Sequence, residues 1–148
     1  MGSKSDAFET SFLTLIFQNA NIANIGDATG IRQSTAAGNL WVALCTDGSA
    51  SSDASAGTAP TYTGYARKAV LRASGAGGWN VSGNAANNNS AIVFDACTVG
   101  TNNIRYFEVY TAVSAGDRLF WGQLTADLSV SPGIAPQFAA NALSVTED

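Results

Sequence analysis

Two carboxylates stand inside apolar, β-forming runs: Asp95 in IVFDAC and Glu108 in YFEVYT. A pair of such acids is what a glycoside hydrolase uses, one as general acid and one as nucleophile or base. The rest of the chain offers little other chemistry. It has no histidine, which removes the commonest general base, the commonest metal ligand and every Ser-His-Asp or Cys-His arrangement. Two cysteines without histidine do not make a four-ligand zinc site of the usual kinds. Cys45 and Cys97 each lie in a strand-like run and are expected as buried thiols, not as a disulfide. Asp47 and Asp53 fall in a loop without the spacing or terminal Glu of a calcium hand and read as turn residues. The glycine-rich residues 74–78 lack the Lys and Ser/Thr of a phosphate loop. For Glu108 the simpler expectation is an ion pair with a strand neighbour, Arg67 or Arg118. No catalytic residue, cofactor or metal is expected.

The elements that position these residues follow from the periodicity. Residues 40–45 (LWVALC) are six apolar residues between turn-forming segments, the pattern of a strand covered on both faces. Residues 62–72, 104–111 and 118–125 alternate as half-buried strands do. Residues 79–81, 91–97, 128–130 and parts of 134–145 complete about eight short strands. Residues 47–60 (DGSASSDASAGTAP) read as a long exposed loop, and residues 83–89 as a polar connection rich in Asn. No alternating helices impose a parallel sheet. The expectation is a single domain over residues 1–148: an antiparallel β-sandwich, jelly-roll-like, over 40–146, preceded by one α-helix over 6–25. The strand at 40–45 is expected to be covered by a second sheet from 91–97, 104–111 and 118–125, and by the helix.

That helix is unusually apolar. Asp6 and Glu9 suit its start, and Gly26 suits its end. Phe8, Phe12, Leu15 and Ile16 share one side, and Leu13 and Phe17 widen the apolar arc beyond what one sheet contact needs. Such a helix is either sunk in its own domain or meets another chain. These six residues are the candidate oligomer or capsid interface.

Bulk properties exclude some partners. Charged residues are 12% of the chain, about half the share in an ordinary soluble domain. The net charge is −4 and only Arg67, Lys68 and Arg72 cluster, so nucleic acid is not an expected partner. No stretch has the length of a membrane span or of a secretory signal, and no membrane partner is expected.

Read end to end, the chain resembles a known family. The segments SKSDAFETSFLTLIFQNANIANIGDATG, GNLWVALCTD, TGYARKAV, GGWNVSGN, IVFDAC, YFEVYTA, LFWGQLT and PGIAPQFAANALSVTED, in this order, are similar to small structural proteins of tailed bacteriophages. These proteins are often labelled tail-fibre-like and are found as capsid cement, or decoration, proteins. The resemblance implies a virion protein assembled in the host cytoplasm that sits on the outside of the capsid. There it would bind the major capsid protein and copies of itself, as a homotrimer in preference to a homodimer, and clamp neighbouring subunits against internal DNA pressure. The alternative it leaves open is a tail- or head-fibre component that binds a host surface.

Overall fold

The computed structural model describes residues 3–46 and 51–147. The expected turn at Asp47 and the start of the 47–60 loop lie outside the described residues. The chain is mostly β with antiparallel sheets and one N-terminal helix, as its alternation implies. It forms two compact units, each built from separate stretches of sequence. The first comprises Met1–Asn39, Val70–Ala91 and Ala139–Asp148, and the second Leu40–Ala69 and Ile92–Phe138.

The first unit is a helix laid on a three-stranded sheet. Helix α1 (Asp6–Gln18) begins one residue before the expected cap: Ser5 is the N-cap, and its hydroxyl accepts from Phe8 N–H at 3.4 Å. It ends well short of Gly26, because Asn19 turns left-handed (φ 54°) and its N–H closes on Thr14 O. Asn is one of the few residues that adopts this conformation at low cost. No basic residue lies in the last turn. Arg72 supplies the missing cation from elsewhere, donating from Nε to Ile16 O (2.6 Å) and from Nη2 to Leu15 O (2.7 Å). These are carbonyls at the negative end of the helix dipole.

The sheet under α1 is β3 (Trp79–Ser82), β4 (Ala85–Asn88) and β9 (Ser144–Thr146), in that order and antiparallel. Strand β4 replaces the expected polar connection. Its Asn88 is fully buried and its amide is saturated: Nδ2 donates to Ser90 O and Ala139 O, and Oδ1 accepts from Leu143 N–H. Phe17 meets Trp79 edge-on, ring centroids 4.6 Å apart.

The second unit carries the longer strands. A four-stranded sheet runs β2-β1-β6-β7, with β1 Asn39–Thr46, β2 Lys68–Leu71, β6 Asn102–Tyr110 and β7 Arg118–Val130. Strand β2 begins in the second unit and ends in the first. Residues 62–67, expected as strand, are irregular, and Gly64 there takes φ +108°. Strand β7 joins the expected 118–125 and 128–130 segments into one, with a break in register against β6 where residues 124–127 lie opposite Arg105. A two-stranded ribbon of β5 (Ile92–Val93) and β8 (Gln137–Phe138) faces the sheet. The two layers meet through Phe138, whose ring lies edge-on to both Phe107 (6.1 Å) and Phe94 (6.3 Å). The expected second sheet is thereby corrected: β6 and β7 are sheet-mates of β1, and only the β5–β8 ribbon faces it. Within this unit the other face of β1 is covered by residues 51–58, as described below. The 94–97 half of the expected 91–97 strand instead bonds irregularly to Pro136 O and Ile134 O.

The aromatic contact under α1 sets a stability test. Phe17→Ala empties a closed site and is expected to cost about 3–5 kcal/mol. Phe8→Ala, on the open side of the helix, is expected to change stability by less than about 1 kcal/mol. Thermal unfolding followed by circular dichroism reads both, and equal losses would mean that the packing side has been misassigned.

Candidate functional site

Glu108 sits in the middle of β6 with its side chain fully buried. Strand alternation puts it on the face of the sheet opposite Phe107, between Ala43 of β1 and Trp121 of β7. A bare carboxylate in such a place would be costly, so its oxygens must be satisfied. Oε1 accepts from Arg118 Nη1 (2.9 Å), Ser51 Oγ (2.9 Å) and Gly57 N–H (2.8 Å). Oε2 accepts from the Tyr110 hydroxyl (2.7 Å). Arg118 then extends the network outwards. It donates to Ser55 O (2.8 Å), Asp53 O (3.1 Å) and Ser52 O. Trp121 Nε1 reaches Asp53 Oδ1 at 3.0 Å.

The cluster therefore nails residues 51–57 onto the face of the sheet. Gly57 marks how close the approach is: a Cβ there would come within 2.7 Å of Cys45 Cβ and 2.6 Å of Ser51 Oγ. The β1 edge of the segment is closed by Thr46 N–H donating to Thr58 O at 2.8 Å. A second arginine does a similar task nearby. Arg67 lies 3.4 Å over the Tyr110 ring and donates to Ala112 O and Ala115 O, holding the turn between β6 and β7.

The electrostatics follow from the contacts. Burial alone would raise the Glu108 pKa, but the bonds from Gly57, Tyr110, Ser51 and Arg118 outweigh it and hold the carboxyl below its ordinary 4.5. Burial and the bond to Glu108 push Tyr110 up to about 12, so it remains a donor. Burial, reinforced by the Glu108 charge, pushes Cys45 up to about 12, so its thiol stays protonated and unreactive. A carboxylate with four donors already on it, facing a closed segment, is arranged as a clamp and not as a proton shuttle.

The other carboxylate singled out in the sequence has a different partner. Asp95 pairs with Lys68 Nζ at 2.8 Å on an exposed surface. Of the two expected partners for Glu108, Arg118 makes the ion pair and Arg67 stacks on Tyr110. What sequence reasoning missed is Ser51, Gly57 and the carbonyls of residues 52–55. The available signal was the lone acid in an apolar strand, which demands several donors. A shallow depression of about 530 Å³ lies elsewhere in this unit, lined by hydroxyls and amides including Thr46, Thr101, Asn102 and Ser129. The Asn102 amide is occupied with Thr61 and Tyr62. Among the described residues no group of His, Cys, Asp and Glu is gathered as a metal site would be.

The six helix residues separate into two groups. Leu13 and Phe17 are fully buried in this chain and are not available to a partner. Phe12, Leu15 and Ile16 are half-buried, and Phe8 is 38% exposed.

The depressed pKa of Glu108 makes a pH prediction. A carboxyl whose folded pKa lies below its unfolded value stabilises the fold above the unfolded value, about 4.5. That contribution is lost as pH falls through the lower, folded value. Glu108→Gln leaves Arg118 buried without its countercharge and is expected to cost about 3 kcal/mol at neutral pH. It is also expected to flatten the acid limb of the stability curve below pH 4.5. Urea unfolding across pH 3–7 checks this, and an acid limb as steep as that of the parent would contradict it.

A comparison with family models returns one described as "Podophage GP4 fiber I protein gp80", matching residues 9–146. No curated protein matches the chain. The match takes in the helix from Glu9 onward, the clamp and every strand, and by it the chain belongs to this family of phage fibre proteins, structural components of the virion.

Proposed function

We propose that the chain is a non-catalytic fibre component of a podophage particle that works by binding other virion subunits. The observation that carries this reading is the family match over residues 9–146. The clamp supports it: the most buried charged pair of the second unit is consumed in holding a surface segment rigid, which suits a mechanical part better than a reaction site. Binding energy would then come from apolar side chains and backbone and not from charge pairs.

Capsid cementing is the second reading. The open side of α1 favours it: Phe8, with Phe12, Leu15 and Ile16 beside it, makes an apolar strip on a protein with few charges. Such a strip suits docking onto the major capsid protein. A cement that binds the assembled shell and not its free subunits shifts stability towards the shell.

Image reconstruction of the virion, with this chain labelled, separates the two. A fibre predicts a handful of copies in projections from the particle, and a cement predicts hundreds arrayed over the shell. Absence from purified particles would overturn both. Phe8→Asp is expected to leave thermal stability within about 0.5 kcal/mol and to lower the number of copies per particle. Unchanged incorporation would remove the helix strip from the attachment surface.

A further inference from the structure

The segment over Glu108 is attached through polar groups. Residues 51–60 (SSDASAGTAP) contain no large apolar side chain, so burial of apolar surface contributes little to keeping it in place. Its attachments converge instead on two side chains of the sheet. Glu108 Oε1 accepts from Ser51 Oγ at 2.9 Å and from Gly57 N–H at 2.8 Å, and Arg118 donates to the carbonyls of Ser52, Asp53 and Ser55. Between those anchors the chain closes on itself, with Ser52 and Ser55 exchanging N–H···O bonds at 2.9 and 3.3 Å. The sheet beneath has its own supports. Strands β1, β6 and β7 are joined by antiparallel ladders, and the Phe138 ring packs on the opposite face against Phe107.

We infer that residues 51–57 form a latch that acid opens as one piece, uncovering the Cys45 thiol and the Arg118 guanidinium while the sheet stays folded. The trigger is the Glu108 carboxylate. All four of its partners are donors, and two of them, the Gly57 N–H and the Arg118 guanidinium, have no lone pair with which to accept. A proton is housed on Oε2 only if the Tyr110 hydroxyl reverses its bond, and Oε1 is then a neutral acceptor for three donors. Arg118, whose side chain is 14% exposed, is left without its countercharge. The other ionisable groups around this point do not replace it. Cys45 from β1 is a neutral thiol, and Arg67 over the Tyr110 ring is a second cation. Asp53 gives its carboxylate to Trp121 Nε1 and only its carbonyl to Arg118. Opening returns the protonated acid and the guanidinium to water, where neither needs a protein partner. A carboxyl held below its ordinary 4.5 when closed binds its proton more readily when open. Closure is therefore complete above about 4.5 and is lost as pH falls through the lower value. Local opening of this kind falls to the part of a structure with the fewest apolar contacts. The inference does not depend on where in the virion the chain sits.

The test uses the full chain, with its own two buried thiols as reporters. Gly57 rests on Cys45, where an added Cβ would come within 3.0 Å of Sγ. Cys97 is held elsewhere, its thiol donating to Gly100 O at 3.3 Å. A dipyridyl disulfide, which titrates thiols in acid as well as at neutral pH, is expected to modify neither at pH 7 and Cys45 alone at pH 3, with the far-ultraviolet circular dichroism unchanged. Peptide mapping identifies the modified residue. Ser51→Ala removes one donor from the latch and none from the sheet. It is expected to speed modification of Cys45 at least about tenfold, with Cys97 still protected. Asp53→Asn is expected to open in the same acid range as the parent. Modification of both thiols together in acid would mean that the whole unit unfolds, and would overturn the proposal. So would a Cys45 that stays protected at pH 3, a Ser51→Ala chain modified no faster than the parent, or an Asp53→Asn chain that no longer opens.

Discussion

A single carboxylate buried in a strand sets the terms for the second unit. Glu108 occupies a position that the alternation of β6 assigns to a covered face, and a charge there is tolerated only with donors on both oxygens. The sheet supplies two of them, Tyr110 from the same strand and Arg118 from the next. The other two, Ser51 and Gly57, must come from outside the sheet. The need to satisfy the acid is therefore also the force that folds a segment of small residues onto the sheet. That segment has no large apolar side chain of its own to bury, so apolar burial cannot hold it there. Electrostatics and backbone geometry do, which is why its closest contact is a glycine against Cys45.

The first unit solves a related problem with a cation. Its helix ends in carbonyls with no basic side chain in the last turn, and Arg72 reaches them from a segment more than fifty residues away in sequence. Burial lowers the Arg72 pKa, yet a guanidinium keeps its charge under such a shift. The same group also donates to Ser34 Oγ and, at 3.5 Å, to Ala37 O, so one side chain joins the end of the helix to the connection that leaves it. In both units an arginine with several donors replaces the apolar packing that a chain rich in Gly, Ala and Ser lacks.

How much of this was legible in the sequence depends on how local the cause was. The strands at 40–45, 104–111 and 118–125 announce themselves through long alternation or continuous apolarity, and α1 through its apolar arc. Strand β4 does not, because Asn88 is held by carbonyls and an amide from residues 90, 139 and 143, and a buried Asn looks in sequence like a turn Asn. The end of α1 was misread because Asn19 takes the left-handed cap that Gly26 seemed built for. The partition of strands between layers was misread as well, since periodicity tells which face of a strand is covered and not which strand lies beside it. Of the candidate site, the Glu108–Arg118 pair was visible as one of two options, whereas the docking of residues 51–57 was not. A loop of serines, alanines and glycines carries no mark of what it rests on.

The fate of the charges decides what is left for partners. The second unit contains four cations, and each is engaged within it: Arg67 on Tyr110 and two carbonyls, Lys68 on Asp95, Arg105 on Asp127 and Arg118 on Glu108. No surplus basic patch remains to steer an acidic partner from a distance. What this unit can still offer is apolar side chains such as Val93, Val99 and Trp121. Contacts made from those groups are short-ranged and not screened by salt, because screening acts on charges and they carry none. A contact made from such groups would keep its strength as ionic strength rises, whereas one made from exposed ion pairs would weaken.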